Sequence, residues 1–344
     1  MRTTIGWQSL DGSTDLRRVS IERRELRDDD IAVRIDFCGV CHSDLHRIHG
    51  LLGETGLVPG HEATGTVTAV GGSVAGFAVG ERVAIGTIID SCGVCPMCLI
   101  GQENYCYEGA LTTYGGAAQT KGAYSREYVL REKFAFHLPD GLDPAAASPL
   151  LCAGISVWEP LRAAGVGQGT RLAVVGLGGL GHLAVKLAAA LGAEVTVLSR
   201  TADKAGDARR LGATELLLTT DPAQTEPARG RFDVIIDTVS VDHDLAPLLR
   251  MTALDGTLCV VGNPLMAGPR ILELAQGRKN LTGSGTGGLR QTAEMLEFCA
   301  EHGITADVEV LPSSRVAEAL ERLERGDVHY RFVLDMSDLD RSAA

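Results

Sequence analysis

The stretch Arg171–Lys204, RLAVVGLGGLGHLAVKLAAALGAEVTVLSRTADK, decides the fold of the central part of this chain. Leu172–Val175 is a short apolar run of the kind that forms a buried parallel strand, and Gly176, Gly178 and Gly181 follow it as G-x-G-x-x-G. An alanine-rich apolar helix then runs to about Leu191, and Val195–Leu198 makes a second strand. In that order the glycines have distinct jobs. Gly176 allows a tight turn, Gly178 lets backbone approach a pyrophosphate, and Gly181 lets the helix pack closely on the strand. The helix N-terminus then faces the phosphates, so Gly176, Leu177, Gly178, Gly179, Leu180 and Gly181 form a candidate dinucleotide cradle.

The end of the second strand selects the dinucleotide. A site for NAD usually places Asp or Glu there, about 20 residues after the glycines, on the adenosine ribose. This chain has Ser199 and Arg200, with Lys204 close behind. A carboxylate would repel a 2′-phosphate, whereas these three would hold one through charge-assisted hydrogen bonds. The expected cofactor is NADP(H).

Working outward, strands and helices alternate from about Gly154 to Gly288. Further candidate strands are Leu216–Leu218, Asp233–Ile236, Thr257–Val261 and Asn280–Gly283, which with the first two give six parallel strands in a doubly wound sheet. The first 150 or so residues lack that alternation. Their strand-like runs, Ile31–Ile35, Gly65–Val70, Arg82–Ile85 and Tyr124–Val129, are broken by glycines and read as a compact β-rich domain. After a helix near Arg290–His302 the segment Val308–Leu334 reads as irregular. Tyr330–Asp335, YRFVLD, is a strand placed to rejoin the first domain. The expected organisation is therefore residues 1–153 as a first domain, 154–289 as an inserted nucleotide-binding domain, and 290–344 as the return.

A length of 344 residues accommodates two domains. The formal charge of −12 argues against nucleic acid as a partner. No apolar run approaches the roughly 20 residues of a membrane span, and MRTTIGWQSL has no signal-peptide core. A cytoplasmic location is expected, and the nine cysteines are read as metal ligands or thiols before disulfides.

Four of those cysteines, Cys92, Cys95, Cys98 and Cys106, form C-x2-C-x2-C-x7-C within a lobe at 90–108. Four thiolates so close in sequence match a closed tetrahedral zinc site with no open position, hence a structural one. A redox switch that releases metal on oxidation is the functional rival. A second set is scattered: Cys41 opens C-H-S-D-L-H, His61 follows the turn Pro59–Gly60, and Cys152 lies in P-L-L-C-A-G. Two thiolates and an imidazole would leave a fourth position for an alcohol or aldehyde oxygen. Spacing alone does not assemble these three, and on the residues alone packed thiols are the favoured reading of Cys41 and Cys152.

The stretches C-G-V-C-H-S-D-L-H, V-P-G-H-E, D-S-C-G-V-C-P-M-C-L-I-G-Q-E-N-Y-C, P-L-L-C-A-G-I-S-V-W and V-V-G-L-G-G-L-G-H together resemble the zinc-dependent medium-chain alcohol dehydrogenases, in particular the NADP-dependent cinnamyl alcohol dehydrogenase branch. D-V-I-I-D-T-V-S, G-S-G-T-G-G and Y-R-F-V-L-D extend the resemblance along nearly the whole chain. It implies an α/β protein with a GroES-like β-rich catalytic domain and an inserted Rossmann domain. It places Cys41, His61 and Cys152 on the catalytic zinc ligands, with Glu62 approaching the metal during ligand exchange and Asp44 orienting His61. It implies that Ser43 accepts the substrate proton and passes it through the cofactor ribose to His46, and that His42 and Arg331 face the cofactor pyrophosphate.

The resemblance further implies two zinc ions per chain, a homodimer, and hydride transfer between NADP(H) and a primary alcohol or aldehyde, aromatic or aliphatic. Imine or conjugated-alkene reduction on the same scaffold, or NADPH binding without turnover, are the alternatives. Gly285 and Thr286, where relatives often carry bulky apolar residues, and the glycine-rich segment Leu111–Gly122 depart from the branch. Leu52, Ile88, Leu111, Leu265 and Met266 are expected to line an apolar substrate pocket. The remaining histidines, including His182 and His243, read as helix-start, surface or loop residues.

Overall fold

In the computed structural model, residues 1–50, 56–116, 119–262, 268–269 and 271–340 are described. The chain divides into two compact units, Met1–Cys152 with Gly288–Ala344, and Ala153–Gly287.

The first unit opens with an antiparallel hairpin, β1 (Arg2–Gln8) and β2 (Arg17–Arg23), which sequence reading does not anticipate. Next come β3 (Asp30–Gly39), β4 (Ala63–Val70), β5 (Arg82–Ile85), β6 (Ile88–Asp90), β7 (Leu111–Thr112), β8 (Glu127–Arg131) and β9 (Ala135–His137). The long strand β3 is the spine. Its apolar residues Ile31, Val33 and Ile35 are wholly buried, and it pairs antiparallel with β4 along one side and β8 along the other. The run expected at Tyr124–Val129 starts later, at Glu127. Tyr124 and Arg126 instead bond through their backbones to β1, at Trp7 and Ile5.

The second unit contributes β10 (Arg171–Val175), β11 (Glu194–Ser199), β12 (Glu215–Leu218), β13 (Phe232–Asp237), β14 (Thr252–Val260) and β15 (Asn280–Gly283). They form a six-stranded sheet in the order β12-β11-β10-β13-β14-β15, every pair parallel. The central strands are near-continuous Val, Leu, Ile and Ala because a parallel sheet covered by helices buries both faces. β14 begins five residues before the expected Thr257, with a register shift against β13.

Back in the first unit, Val308–Leu334 is more regular than its sequence suggests. β16 (Val308–Pro312), the helix Val316–Glu324 and β17 (Arg331–Asp335) occupy it. The helix buries Val316, Ala319, Leu320 and Leu323 on one face, a helical repeat that a short, charge-rich segment disguises. β17 pairs with the end of β3, Val333 opposite Gly39, and so delivers Arg331 next to the segment that begins at Cys41.

Candidate active site

Three chain segments converge in the first unit. Cys41 lies one residue before the helix His42–Ile48, His61 sits between the turn Pro59–Gly60 and β4, and Cys152 closes the segment that precedes the second unit. Gly60 has φ +98°, and a Cβ there would stand 2.5 Å from the Tyr124 ring, so the turn that aims His61 admits only glycine. The ligand atoms of Cys41, His61 and Cys152 lie within 4.8 Å of one another. Cys41 Sγ is 3.9 Å from Cys152 Sγ, and His61 Nε2 is 3.1 Å from the same sulfur. Atoms bonded to one tetrahedral zinc at about 2.0–2.3 Å stand roughly 3.5–3.8 Å apart, so this set fits a zinc ion with small adjustments.

Asp44 fixes the geometry from behind. Its carboxylate is fully buried and accepts hydrogen bonds from the Cys41 amide at 3.0 Å, the Gly60 amide at 3.1 Å and the Tyr124 hydroxyl at 3.1 Å. It also meets His61 Nδ1 at 3.2 Å. A carboxylate can only accept, so Nδ1 carries a proton, and Nε2 is the nitrogen that faces the sulfurs and would bind a metal. Tyr114 packs its ring 5.4 Å from that of His61. Sequence reading passes over Tyr114 and Tyr124, because a tyrosine in a glycine-rich loop gives no sign of what its ring will face.

The charges argue in the same direction. A hydrogen bond from Cys152 holds Cys41 well below the ordinary thiol value, while the same contact and burial push Cys152 far up. Two sulfurs this close cannot both be anions without a cation between them, and a divalent metal supplies it. Burial is the largest single influence on His61 and would lower it, yet the charge and hydrogen bond of Asp44 together with Cys41 outweigh it and raise the imidazole. Glu62 is buried and pushed up to about 8 by burial, against the pull of Arg331.

Glu62 and Arg331 face each other. The Glu62 carboxylate forms an ion pair with Arg331 and is not in the ligand group, and its Oε2 has no hydrogen-bond partner among the described residues. Arg331 is buried in this pair and carries the charge field of Cys41 and Cys152 as well. Ser43 is exposed with its hydroxyl 3.6 Å from Cys41 Sγ, and His46 is half-buried, its ring 6.4 Å from that of exposed His42. Among the described residues no hydrogen bond joins Ser43 to His46.

The second cysteine set is self-contained. Cys92, Cys95, Cys98 and Cys106 bring their sulfurs within 4.8 Å of one another, with Cys92 and Cys98 3.9 Å apart. Backbone N–H groups of Cys98 and Tyr107 lower Cys95 to about 6, which favours the thiolate a metal needs. The four donors match a closed zinc site.

In the second unit Gly176 has φ +85°, and a Cβ on Gly181 would lie 2.1 Å from the Gly176 carbonyl oxygen. Nothing stands within 4 Å of the position a Cβ would take on Gly178, so its backbone is open to a ligand. Ser199 ends β11 with its Oγ accepting the Thr201 amide, Arg200 is exposed, and Lys204 Nζ donates to the Leu177 carbonyl at 3.2 Å. Lys204 thereby ties the end of the second strand to the glycine turn. Of the expected pocket residues, Ile88 is buried and Leu111 half-buried, while Leu52, Leu265 and Met266 lie outside the described residues.

Residues 27–140 match the alcohol dehydrogenase GroES-like domain family, and residues 179–301 match the zinc-binding dehydrogenase family. The chain is 46% identical over 332 residues to a Bacillus subtilis protein named "Probable formaldehyde dehydrogenase AdhA", covering 94% of each. It is 43% identical to an NADP-dependent alcohol dehydrogenase C of Mycobacterium bovis, over 98% of this chain and all of that one. A solved cinnamyl alcohol dehydrogenase from Sorghum bicolor superposes with a TM-score of 0.94 at 41% identity, covering 99% of each chain. The chain belongs to the zinc-dependent medium-chain alcohol dehydrogenases, with a GroES-like domain and a Rossmann-like domain.

Proposed function

We propose that the chain is an NADP(H)-dependent, zinc-dependent alcohol dehydrogenase and aldehyde reductase acting on primary alcohols and small aldehydes, aromatic or aliphatic. The observation that carries this reading is the Cys41–His61–Cys152 group, in which Asp44 holds His61 so that Nε2 faces the sulfurs, while among the described residues no fourth protein donor joins the three. Zinc held there would supply Lewis acidity toward an alcohol or aldehyde oxygen, and bound NADP(H) would supply the hydride chemistry. Cys41, His61 and Cys152 hold the metal, Asp44 holds the imidazole, and Glu62 with Arg331 sets the charge behind the sulfurs. Ser43 takes the substrate proton and His46 releases it to solvent. Cys92, Cys95, Cys98 and Cys106 hold the structural zinc.

Residues 154–289 bind NADP(H), residues 1–153 and 290–344 carry the chemistry, and Ser199, Arg200 and Lys204 hold the 2′-phosphate. His42 and Arg331 contact the cofactor's phosphates. A homodimer is supported by β15, a strand at the edge of the sheet among the described residues, whose Asn280, Thr282 and Gly283 are exposed and whose edge suits a second copy. A reducing, cytoplasmic setting is supported by the grouping of six of the nine cysteines into metal-ligand sets. The test is oxidation of NADPH and NADH with benzaldehyde, cinnamaldehyde and formaldehyde on protein of measured zinc content. Two zinc ions per chain and NADPH-preferring turnover are expected. NADPH bound without turnover, or a rate indifferent to Ser43→Ala, would overturn the carbonyl reading in favour of a binding protein or of imine or alkene reduction.

A further inference from the structure

Asp237 ends β13 and stands in register with Val175, the last residue of β10. These are the two strands between which the order of the sheet reverses, and ligands of doubly wound sheets bind outside the strand ends at that reversal. A carboxylate at such a place is costly to bury, yet Asp237 is fully buried. Burial pushes its carboxyl group up, opposed by the Val239 amide and by His243.

The compensation comes from a short closed turn. Asp237 Oδ1 accepts the Val239 amide at 3.1 Å, and Oδ2 meets His243 Nε2 at 2.8 Å. His243 Nδ1 lies 2.8 Å from the Val241 carbonyl oxygen. That oxygen can only accept, so Nδ1 carries a proton, and Nε2 and the carboxyl group share another between them. Pinned at both nitrogens, the ring locks residues 238–243 into one shape. The sequence gives no hint of this, and His243 reads there as a loop histidine.

The locked turn is what the glycine turn leans on. Thr238 Oγ1 donates to the Val175 carbonyl at 2.8 Å and stands 3.2 and 3.3 Å from the positions a Cβ would take on Gly176 and Gly181. The Val239 carbonyl oxygen is 2.1 Å from the corresponding position on Gly262. A shift of this turn would press on the backbone that cradles the pyrophosphate.

Resting on the functional reading above, we propose that His243, held by Asp237, is a positioning residue that sets NADP(H) affinity by fixing the Thr238–Val241 turn against the glycine turn. The experiment titrates the full-length protein with NADPH, following its fluorescence, for the unsubstituted chain, His243→Ala, His243→Gln, Asp237→Asn and the double variant His243→Ala/Asp237→Asn. Melting temperatures are taken without cofactor, and KM and kcat with benzaldehyde. His243→Ala is expected to weaken NADPH about tenfold, the size of one hydrogen bond to a charged group. KM for NADPH rises while kcat and KM for the aldehyde stay within about twofold. The ligand-free melting temperature falls by a few degrees in His243→Ala, where Asp237 loses its partner, and recovers in the double variant, where affinity does not. His243→Gln, which can still donate to Asp237, recovers most of the loss, and the double variant is no weaker than the worse single one. Affinity within about twofold of the unsubstituted chain in both single variants, additive losses, or a loss that tracks melting temperature would overturn the proposal. An unsubstituted chain that binds no NADPH would overturn this proposal together with the functional reading, whereas binding that ignores His243 overturns this proposal alone.

Discussion

The two cysteine sites of the first unit use the same ligand atom under opposite conditions. The lobe around Cys92–Cys106 draws four sulfurs from fifteen consecutive residues, with Cys92 and Cys95 half-exposed and backbone N–H groups nearby to stabilise thiolates. The other site draws two sulfurs and an imidazole from positions 41, 61 and 152, and surrounds them with buried Asp44, Glu62 and Arg331. A locally built site is complete in its donors and has little left to do but hold the lobe together. A site assembled by the fold can leave a position vacant and keep charged groups behind it, and that is what chemistry requires.

The comparison breaks most visibly at Cys152. Cys152→Ala should lower aldehyde reduction by more than about a thousandfold, because Lewis-acid stabilisation worth several kcal/mol is lost. One zinc per chain should remain and the melting temperature should fall little. Metal analysis beside a rate assay checks this, and a variant that kept both zincs would contradict the ligand assignment. The reverse experiment is Cys95→Ala. It should remove the other zinc and cost several kcal/mol of stability, seen as a melting temperature lower by roughly 10 °C. NADPH binding measured at low temperature should persist, since the nucleotide cradle lies in the other unit.

A smaller effect sharpens the role of the buried surroundings. Asp44→Asn keeps an acceptor for His61 Nδ1 but removes the negative charge, and should weaken zinc at the Cys41–His61–Cys152 site by about 10- to 100-fold in competition with a chelator. The lobe zinc should be unaffected. If both zincs weaken alike, Asp44 acts on folding and not on the site. The smallest effect lies outside both metal sites: Lys204→Ala should reduce the preference for NADPH over NADH by about tenfold, measured as the ratio of kcat/KM values, with zinc content unchanged.

What could be read in advance followed the range of the interaction. The glycine turn, the strands on either side of it and the lobe cysteines are each defined within a few dozen residues, so periodicity and spacing announce them. Cys41, His61 and Cys152 carry no joint signal of their own. Only the resemblance to a family named them together, because β3, β4 and the segment ending at Leu151 must first fold before the three meet. The helix Val316–Glu324 went unread because its four buried apolar residues are set among charges. That Arg331 pairs with Glu62 has no local signal either, since pairing of β17 with β3 decides that the two face each other.

The sequence by itself determined the doubly wound unit, the self-contained cysteine lobe and the missing acid at the end of the second strand, all of them consequences of chemistry between near neighbours. Tertiary structure decided which buried charges face one another: Asp44 behind His61, Glu62 against Arg331, Asp237 against His243. Those pairs join residues from different strands and loops, or across a turn of irregular shape. Their energies depend on burial and on distances of a few ångströms, which exist only after the chain has folded.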